Sequence, residues 1–145
     1  MDFKVENRVG VQASAERIWS FILDLPSWAE WNPIETDMEG AIAFGGRLVV
    51  NEAIPGLPER RAEVRVGSWQ PEAQLVWTEK RGLFFNMVRY YEIEALGPTS
   101  CILANGMIFS GLRGEGYHDK HRKVIRPALA QIGEALRAVS EAPQT

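Results

Sequence analysis

The sequence predicts an α+β fold in which a seven-stranded antiparallel sheet curls around one long C-terminal helix. The first segment alternates apolar and charged residues, as a half-buried strand does, and two short helical segments follow it. Six runs of strand length come next, separated by hairpin signals such as Gly45-Gly46 and Gly97-Pro98. Apolar residues then recur at three- and four-residue spacing over about 117–140. Strands joined by short links form an antiparallel meander, which needs the helix to bury its apolar face.

The individual elements follow from local signals. The first strand is predicted at 3–11, and Ser14 is a suitable N-cap for a helix from Ala15 to about Leu25. Pro26 and Ser27 restart the chain into a second short helix. The long C-terminal helix contains Pro127, which we expect on its outer side. The six later strands are predicted at 34–43, 47–54, 60–69, 74–80, 84–95 and 100–110.

Composition limits the classes of function. With 145 residues the chain is expected to form one domain over 1–141, followed by a disordered tail at 142–145. The net charge is −3 and no stretch concentrates Lys and Arg, so we expect no nucleic-acid partner. No apolar run reaches membrane-spanning length and the N-terminus has no signal-peptide pattern, so we expect no membrane insertion.

The same observations give expectations for location and assembly. The single cysteine, Cys101, lies in an apolar run, which is consistent with a reducing compartment, and a cytoplasmic location is expected. The Gly-rich stretch "GLRGEG" at 111–116 fits neither the dinucleotide-binding fingerprint nor a P-loop, and we interpret it as a flexible hinge. We expect no metal and no cofactor, and a monomer or weak homodimer.

The stretch "WAEWNPIE", residues 28–35, concentrates aromatic surface next to a chain stiffener. Three-residue spacing places Trp28 and Trp31 on one side of a helical turn. Pro33 forces Asn32 out of the helical region, so the turn ends there and the chain leaves in an extended conformation. The two tryptophans are therefore predicted to cover an interior surface built by the rest of the chain.

These segments together resemble a known superfamily. The order of elements, "VQASAERIWSFILDLPSWAEWNP" near the start, "QLVWTEKRG" in the middle and "MIFSGLRG" before the last helix are similar to the START-like helix-grip (SRPBCC) superfamily. Within it, the chain resembles the polyketide cyclase/dehydrase group. The resemblance implies a deep cavity between sheet and long helix, of roughly several hundred Å³, holding a lipid, a polyketide or an aromatic molecule. Trp28 and Trp31 would then plug or floor one end of it.

Strand parity predicts which side chains line such a cavity, because alternate residues of a strand face the same side. Apolar walls with a few convergent polar groups are typical of small-molecule sites. The predicted ligand-binding residues are Trp28, Trp31, Val50, Glu52, Leu75, Trp77, Glu79, Phe85, Met87, Arg89, Tyr91, Leu103, Asn105, Met107, Phe109, His121, Ile125 and Leu129.

Arg89 has three interpretations from sequence. It is an anchor for a ligand carboxylate, phenolate or carbonyl; or it forms an internal salt bridge with Glu52 or Glu79; or the parity is wrong and it faces water. His118 and His121 fall near the apolar face of the last helix. They are candidates for general acid or base work at the cavity mouth, with exposure in a polar first turn as the alternative. Arg89, His118 and His121 are the candidate catalytic residues.

Three functions remain open at this point. The first is a protein that binds a small hydrophobic molecule without chemistry. The second is a cyclase/dehydratase-type enzyme acting through acid and base groups in the cavity, and the third is an interaction module of the stress-associated type. The sequence favours the first, because aldol closure needs a positioned base and a donor for the enolate, and no dense constellation of such residues is visible.

Overall fold

The computed structural model describes residues 3–143, and it has the predicted helix-grip architecture. Residues 1, 2, 144 and 145 lie outside the described residues, so the predicted disorder of the tail stays a prediction. The strands are β1 (Phe3–Val11), β2 (Glu35–Gly40), β3 (Arg47–Glu52), β4 (Arg60–Gln70), β5 (Gln74–Gly82), β6 (Phe85–Gly97) and β7 (Ser100–Gly111). The helices are α1 (Ala15–Leu23), α2 (Trp28–Trp31) and α3 (Gly114–Glu141), with a 3-10 turn at Leu25–Ser27 before α2.

The seven strands form one antiparallel sheet in the order β1-β7-β6-β5-β4-β3-β2. The meander of β2 to β7 is confirmed, and β1 closes the sheet by pairing with β7, where Val5 lies opposite Met107. The predicted second strand, 34–43, is too long. Asp37 adopts a positive φ of 52° beside an irregularity in the β2–β3 pairing, and Gly40 has a φ of 121°, so the strand ends there.

The long helix covers the β1–β7 side of the concave face. It begins three residues earlier than predicted, at Gly114, and its buried side chains include Ile125, Leu129, Ile132 and Leu136. Gly133 permits the close approach to β1, because a Cβ at that position would lie 2.5 Å from Nδ2 of Asn7.

The short helices cover the remaining part of the concave face. Ser14 caps α1 as predicted, its side chain accepting a hydrogen bond from the Arg17 amide. Arg17 then ties α1 to the far end of α3, since its Nε donates to the carbonyl of Ser140 at 2.6 Å. The chain turns at Pro26 and places Trp28 inside, with its ring 6.1 Å from that of Trp77 and 5.3 Å from that of Tyr91.

The direction of the strands gives the molecule two ends. At one end, called the mouth here, β3, β5 and β7 finish and β4, β6 and α3 begin. The β5–β6 turn and the β7–α3 connection are neighbours at the mouth, because Phe85 pairs with Gly111. The loop between β3 and β4 closes onto α3 beside them, where Val124 Cγ1 lies 3.1 Å from the position of a Cβ on Gly56.

Within residues 3–143, no helix combines the length and the apolar character that crossing a bilayer requires. The longest, α3, has 28 residues, but charged side chains occupy its outer side.

The aromatic cluster generates a stability prediction. Trp31 is 8% exposed, so we expect Trp31→Ala to lower the free energy of unfolding by about 3–5 kcal/mol. Nε1 of Trp31 has no hydrogen-bond partner in the described part of the chain, whereas Nε1 of Trp28 donates to the carbonyl of Ile22 at 2.9 Å. Trp28→Phe should therefore cost more than Trp31→Phe, because only the former leaves a buried carbonyl unpaired. Urea denaturation measures both, and equal losses would contradict the expectation.

Candidate functional site

The centre of the concave face holds a fully buried arginine. Arg89 projects from β6, with 0% of its surface exposed, and its guanidinium makes a two-point contact with Glu35 at 2.9 and 3.0 Å. Its Nη1 donates to the carbonyls of Tyr90 and Gly106, and its Nη2 also donates to Oδ1 of Asn105. An arginine side chain has five N–H donors. All five are accounted for by these contacts, so none is left for a ligand.

Further polar side chains complete this network. Tyr91 donates its hydroxyl hydrogen to Glu35, and its ring faces the Arg89 guanidinium at 4.3 Å. Asn32 accepts from the amides of Ile34 and Glu35, which is why the chain can turn from α2 into β2 after Pro33. Asn105 connects the network to α3, because its Nδ2 donates a hydrogen bond to the carbonyl of Leu129 at 3.1 Å.

The buried charges shift the pKa values of this group. Burial raises the pKa of Tyr91 well above its usual value, and Glu35 adds to the rise while Arg89 opposes it, so the phenol stays a neutral donor. Burial alone would lower the pKa of Arg89, but the attraction of Glu35, Tyr91 and Glu52 and the hydrogen bonds with Glu35 together outweigh it, so the pKa is raised. Arg89 is therefore a permanent cation.

The structure corrects the pairing that the sequence suggested. The partner of Arg89 is Glu35, and the prediction of a salt bridge with Glu52 or Glu79 is wrong. Those two carboxylates face inward near the mouth and both bind Arg60, with Glu52 Oε1 3.1 Å from its Nη1. Arg60 occupies the inward row of β4 directly opposite Glu52, which makes it the nearer cation. The alternative in which Arg89 faces water is also excluded by its burial.

A pocket of about 560 Å³ opens at the mouth, between the first turns of α3 and the β5–β6 turn. Its walls combine aromatic, aliphatic and basic side chains, as sites for amphipathic molecules do. The lining residues are Arg81, Phe85, Leu112, Arg113, Gly116, Tyr117, Lys120 and His121.

Aromatic packing fixes the inner wall of this mouth pocket. The ring of Tyr117 lies 4.9 Å from that of Phe109 and 5.2 Å from that of Phe85, so it is supported by the core. The guanidinium of Arg81 lies over the rings of Tyr117 and Phe85, at 4.9 and 5.6 Å, and donates to the Tyr117 hydroxyl at 3.1 Å. Arg81 is therefore held in one orientation.

The structure separates the two histidines. His121 lies in the mouth pocket, with its ring 4.4 Å from that of Tyr117. Desolvation, Lys120 and Arg81 lower the pKa of His121, so it is neutral at pH 7. His118 lies instead against Phe3 of β1, with its Nδ1 3.0 Å from a carboxylate oxygen of Asp119. Among the described residues no three His, Cys, Asp or Glu side chains converge as metal ligands do.

The other predicted lining residues lie in the interior. They belong to one continuous core within residues 3–143, and each has less than a tenth of its surface exposed. Their role as ligand-binding residues, and the deep cavity itself, stay predictions. The interior residues are Trp28, Trp31, Val50, Leu75, Trp77, Phe85, Met87, Tyr91, Leu103, Met107, Phe109, Ile125 and Leu129.

Sequence reasoning found only Phe85 and His121 of the mouth pocket. Of the other six residues, Arg81 lies at the end of β5, two lie in the β7–α3 connection and three lie in the first turns of α3, where strand parity gives no direction. One signal was present: the stretch 111–116 supplies Leu112, Arg113 and Gly116, and it was interpreted only as a hinge. The spacing of Gly116, Tyr117, Lys120 and His121 along one helix face was a second signal.

Comparison with known families gives a match over nearly the whole chain. Residues 2–141 match the model of the family described as polyketide cyclase / dehydrase and lipid transport. No protein of the curated set matches the chain.

Solved structures with the same fold cover most of this chain at low identity. A START superfamily protein from Mycobacterium smegmatis has 22% identity and a TM-score of 0.74, with 95% of this chain and 97% of that one covered. The Zhui aromatase/cyclase from Streptomyces sp. R1128 has 16% identity and a TM-score of 0.75, covering 97% and 94%. Norcoclaurine synthase from Thalictrum flavum has 15% identity and a TM-score of 0.71, covering 99% and 96%. Such similarity shows the fold alone.

The network around Arg89 generates the second prediction. Arg89→Met keeps length and apolar bulk but leaves the Glu35 carboxylate buried without its cation, so we expect a loss of about 3–5 kcal/mol in the free energy of unfolding. Adding Glu35→Gln should restore a large part of that loss, because the two groups are coupled. Chemical denaturation of the two single variants and the double variant gives the coupling energy. If the losses of the two single variants simply add in the double variant, the Arg89–Glu35 pair does not stabilise this region.

Proposed function

We propose that this chain, which belongs to the polyketide cyclase/dehydrase and lipid transport family, binds a small, largely apolar molecule at the mouth between the sheet and α3. The observation that carries the proposal is the mouth pocket of about 560 Å³, which has the size of a small-molecule site. Phe85, Tyr117 and Leu112 supply its apolar surface.

The surroundings of the pocket support an apolar ligand. Leu83, Phe84 and Leu112 are 75%, 61% and 84% exposed, and all three lie in the two connections that flank the pocket. Single exposed apolar side chains are common, but three large ones beside one opening provide a surface that an apolar molecule meets first. The turn holds Phe84 at a φ of 57°, an unfavourable conformation for a bulky residue, so its exposure is a feature of the fold.

Two buried polar atoms outside the pocket lining suggest how the ligand extends inward. Glu79 is 6% exposed, and its Oε1 has no hydrogen-bond partner among residues 3–143, although Arg81 Nε lies 4.0 Å away. A buried carboxylate oxygen without a partner is usually satisfied by water or a bound group. Nε1 of Trp31 is likewise buried without a hydrogen-bond partner among residues 3–143. We therefore place the start of the deeper cavity between the pocket and this row of β5.

A second candidate function is a cyclase/dehydratase-type reaction, and the pairing of His121 with Tyr117 favours it. A neutral imidazole beside a phenol that accepts a hydrogen bond from Arg81 is an arrangement able to remove a proton and stabilise the resulting enolate. His121→Ala should abolish such a reaction and lower its rate far more than it weakens ligand binding, which single-turnover kinetics and a binding titration measure separately. Mass spectrometry of molecules extracted from the purified protein would identify the candidate ligand for either function.

Gly116 permits a direct test of the pocket. A Cβ at Gly116 would meet no atom within 4 Å, so a large side chain there extends into open space without a clash. We expect Gly116→Trp to fill the pocket and to weaken binding of a neutral, environment-sensitive apolar dye by more than about tenfold, a change of 1.4 kcal/mol.

Gly116→Ala is the matched control. It adds only a methyl group and favours the helix, so it should bind the dye as the parent does and be no less stable. Fluorescence titration of the three proteins measures the dye affinity. If Gly116→Trp binds the dye as well as Gly116→Ala does, the ligand does not occupy the mouth pocket.

A further inference from the structure

We propose that the ligand of the mouth pocket is an amphipathic acid, whose oxyanion is recognised by Arg81, Arg113 and Lys120. This inference rests on the proposed function, since it names the chemical class that the same pocket selects. The oxyanion is a carboxylate or a phosphate, and the apolar body of the ligand lies on Phe85, Tyr117 and Leu112.

The charge of the pocket is the first argument. Three of its eight lining residues are arginine or lysine and none is aspartate or glutamate, although the whole protein has a net charge of −3. A concave surface of one sign concentrates ligands of the opposite sign. A pocket for neutral apolar molecules has no need of such a charge, and desolvating these groups would oppose their binding.

The second argument is that these cations have little internal compensation. Arg113 and Lys120 form no ion pair within residues 3–143. The nearest carboxylate of Arg81 is Glu79, whose Oε1 lies 4.0 Å from Nε, beyond hydrogen-bond distance. The other oxygen of Glu79 already binds Arg60. Arg113 and Lys120 therefore offer positive charge that no ion pair within residues 3–143 neutralises, and Arg81 is paired only at the outer limit of an ion-pair distance.

The third argument is the orientation of Arg81. Its side chain is only 14% exposed, and the rings of Phe85 and Tyr117 hold its guanidinium at the inner wall. Nη2 donates to the Tyr117 hydroxyl, whereas Nη1 has no acceptor among residues 3–143. A guanidinium that is already ordered loses little entropy when it binds an oxyanion.

Acidic residues on α3 do not cancel this field. Asp119 points away from the pocket toward His118, to which it is hydrogen-bonded. Glu115 lies in the exposed first turn and is not part of the pocket lining. At neutral pH His121 is uncharged, so the recognition depends on the three permanent cations.

Two ligands with the same apolar body separate headgroup recognition from hydrophobic binding. Isothermal titration calorimetry at neutral pH would compare decanoate, which is ionised, with 1-decanol, which is not. We expect decanoate to bind about tenfold more tightly than 1-decanol. This is the low end of the affinity that charge-assisted hydrogen bonds contribute, because the pocket is open to solvent. Acetate, which carries the carboxylate without the apolar body, should show no measurable binding.

Variants assign the preference to the pocket. The double variant Arg113→Met/Lys120→Met should lose most of the preference for decanoate, with only the contribution of Arg81 remaining, while its affinity for 1-decanol stays at the parent value. Arg65→Met is the control. Arg65 lies exposed on the outer face of β4, so this substitution removes a positive charge away from the pocket. It should keep the full preference for decanoate.

The outcomes distinguish this inference from the proposed function. If the parent binds both ligands equally, or if the double variant keeps the parent's full preference for decanoate, anion recognition by these cations is wrong while the pocket still binds apolar molecules. If neither ligand nor the neutral dye binds, the proposed function fails and this inference fails with it.

Discussion

The contact between Arg89 and Glu35 is the constraint on which the shape of this protein depends. Arg89 lies on β6 and Glu35 begins β2, and three strands separate them in the sheet. In a flat sheet, four strand spacings of about 4.8 Å would hold them roughly 19 Å apart, farther than the two side chains reach together. Their direct contact therefore exists only because the sheet curls, and it holds the edge strand against the centre.

The same contact determines where polar chemistry is possible. Desolvation of both charges offsets much of their attraction, so the pair stabilises the fold only because every remaining donor and acceptor has a partner. Arg89 is consequently saturated. The inward-facing residues of β5 become more polar from the core toward the mouth. Trp77 packs on aromatic rings, Glu79 binds Arg60, and Arg81 lines the pocket. Uncommitted polar groups thus collect at the mouth, where solvent limits the cost of exposing them.

Much of the fold and part of the site could be predicted from the sequence. Alternation along β6 placed Arg89 inside, and alternation along β7 did the same for Asn105, because parity depends only on local backbone geometry. The partner of Arg89 could not be predicted in this way. Glu35 meets it across the curl, and that distance depends on the curvature of the whole sheet, which no local pattern specifies. The sequence around Pro33 predicts a turn just before Glu35, but it does not indicate which way the Glu35 carboxylate points.

The mouth pocket was harder to predict for a different reason. Strand ends, a connection and the first turns of α3 form it, and their relative placement depends on turn geometry such as the positive φ of Phe84 and of Gly111. Connections are also where proteins of one fold differ most. These three structural relatives share the fold at 22% identity or less, and a shared fold does not specify a ligand. We infer that ligand discrimination in this chain depends on Arg81, Arg113 and Lys120, which lie at the end of β5, in the β7–α3 connection and in α3.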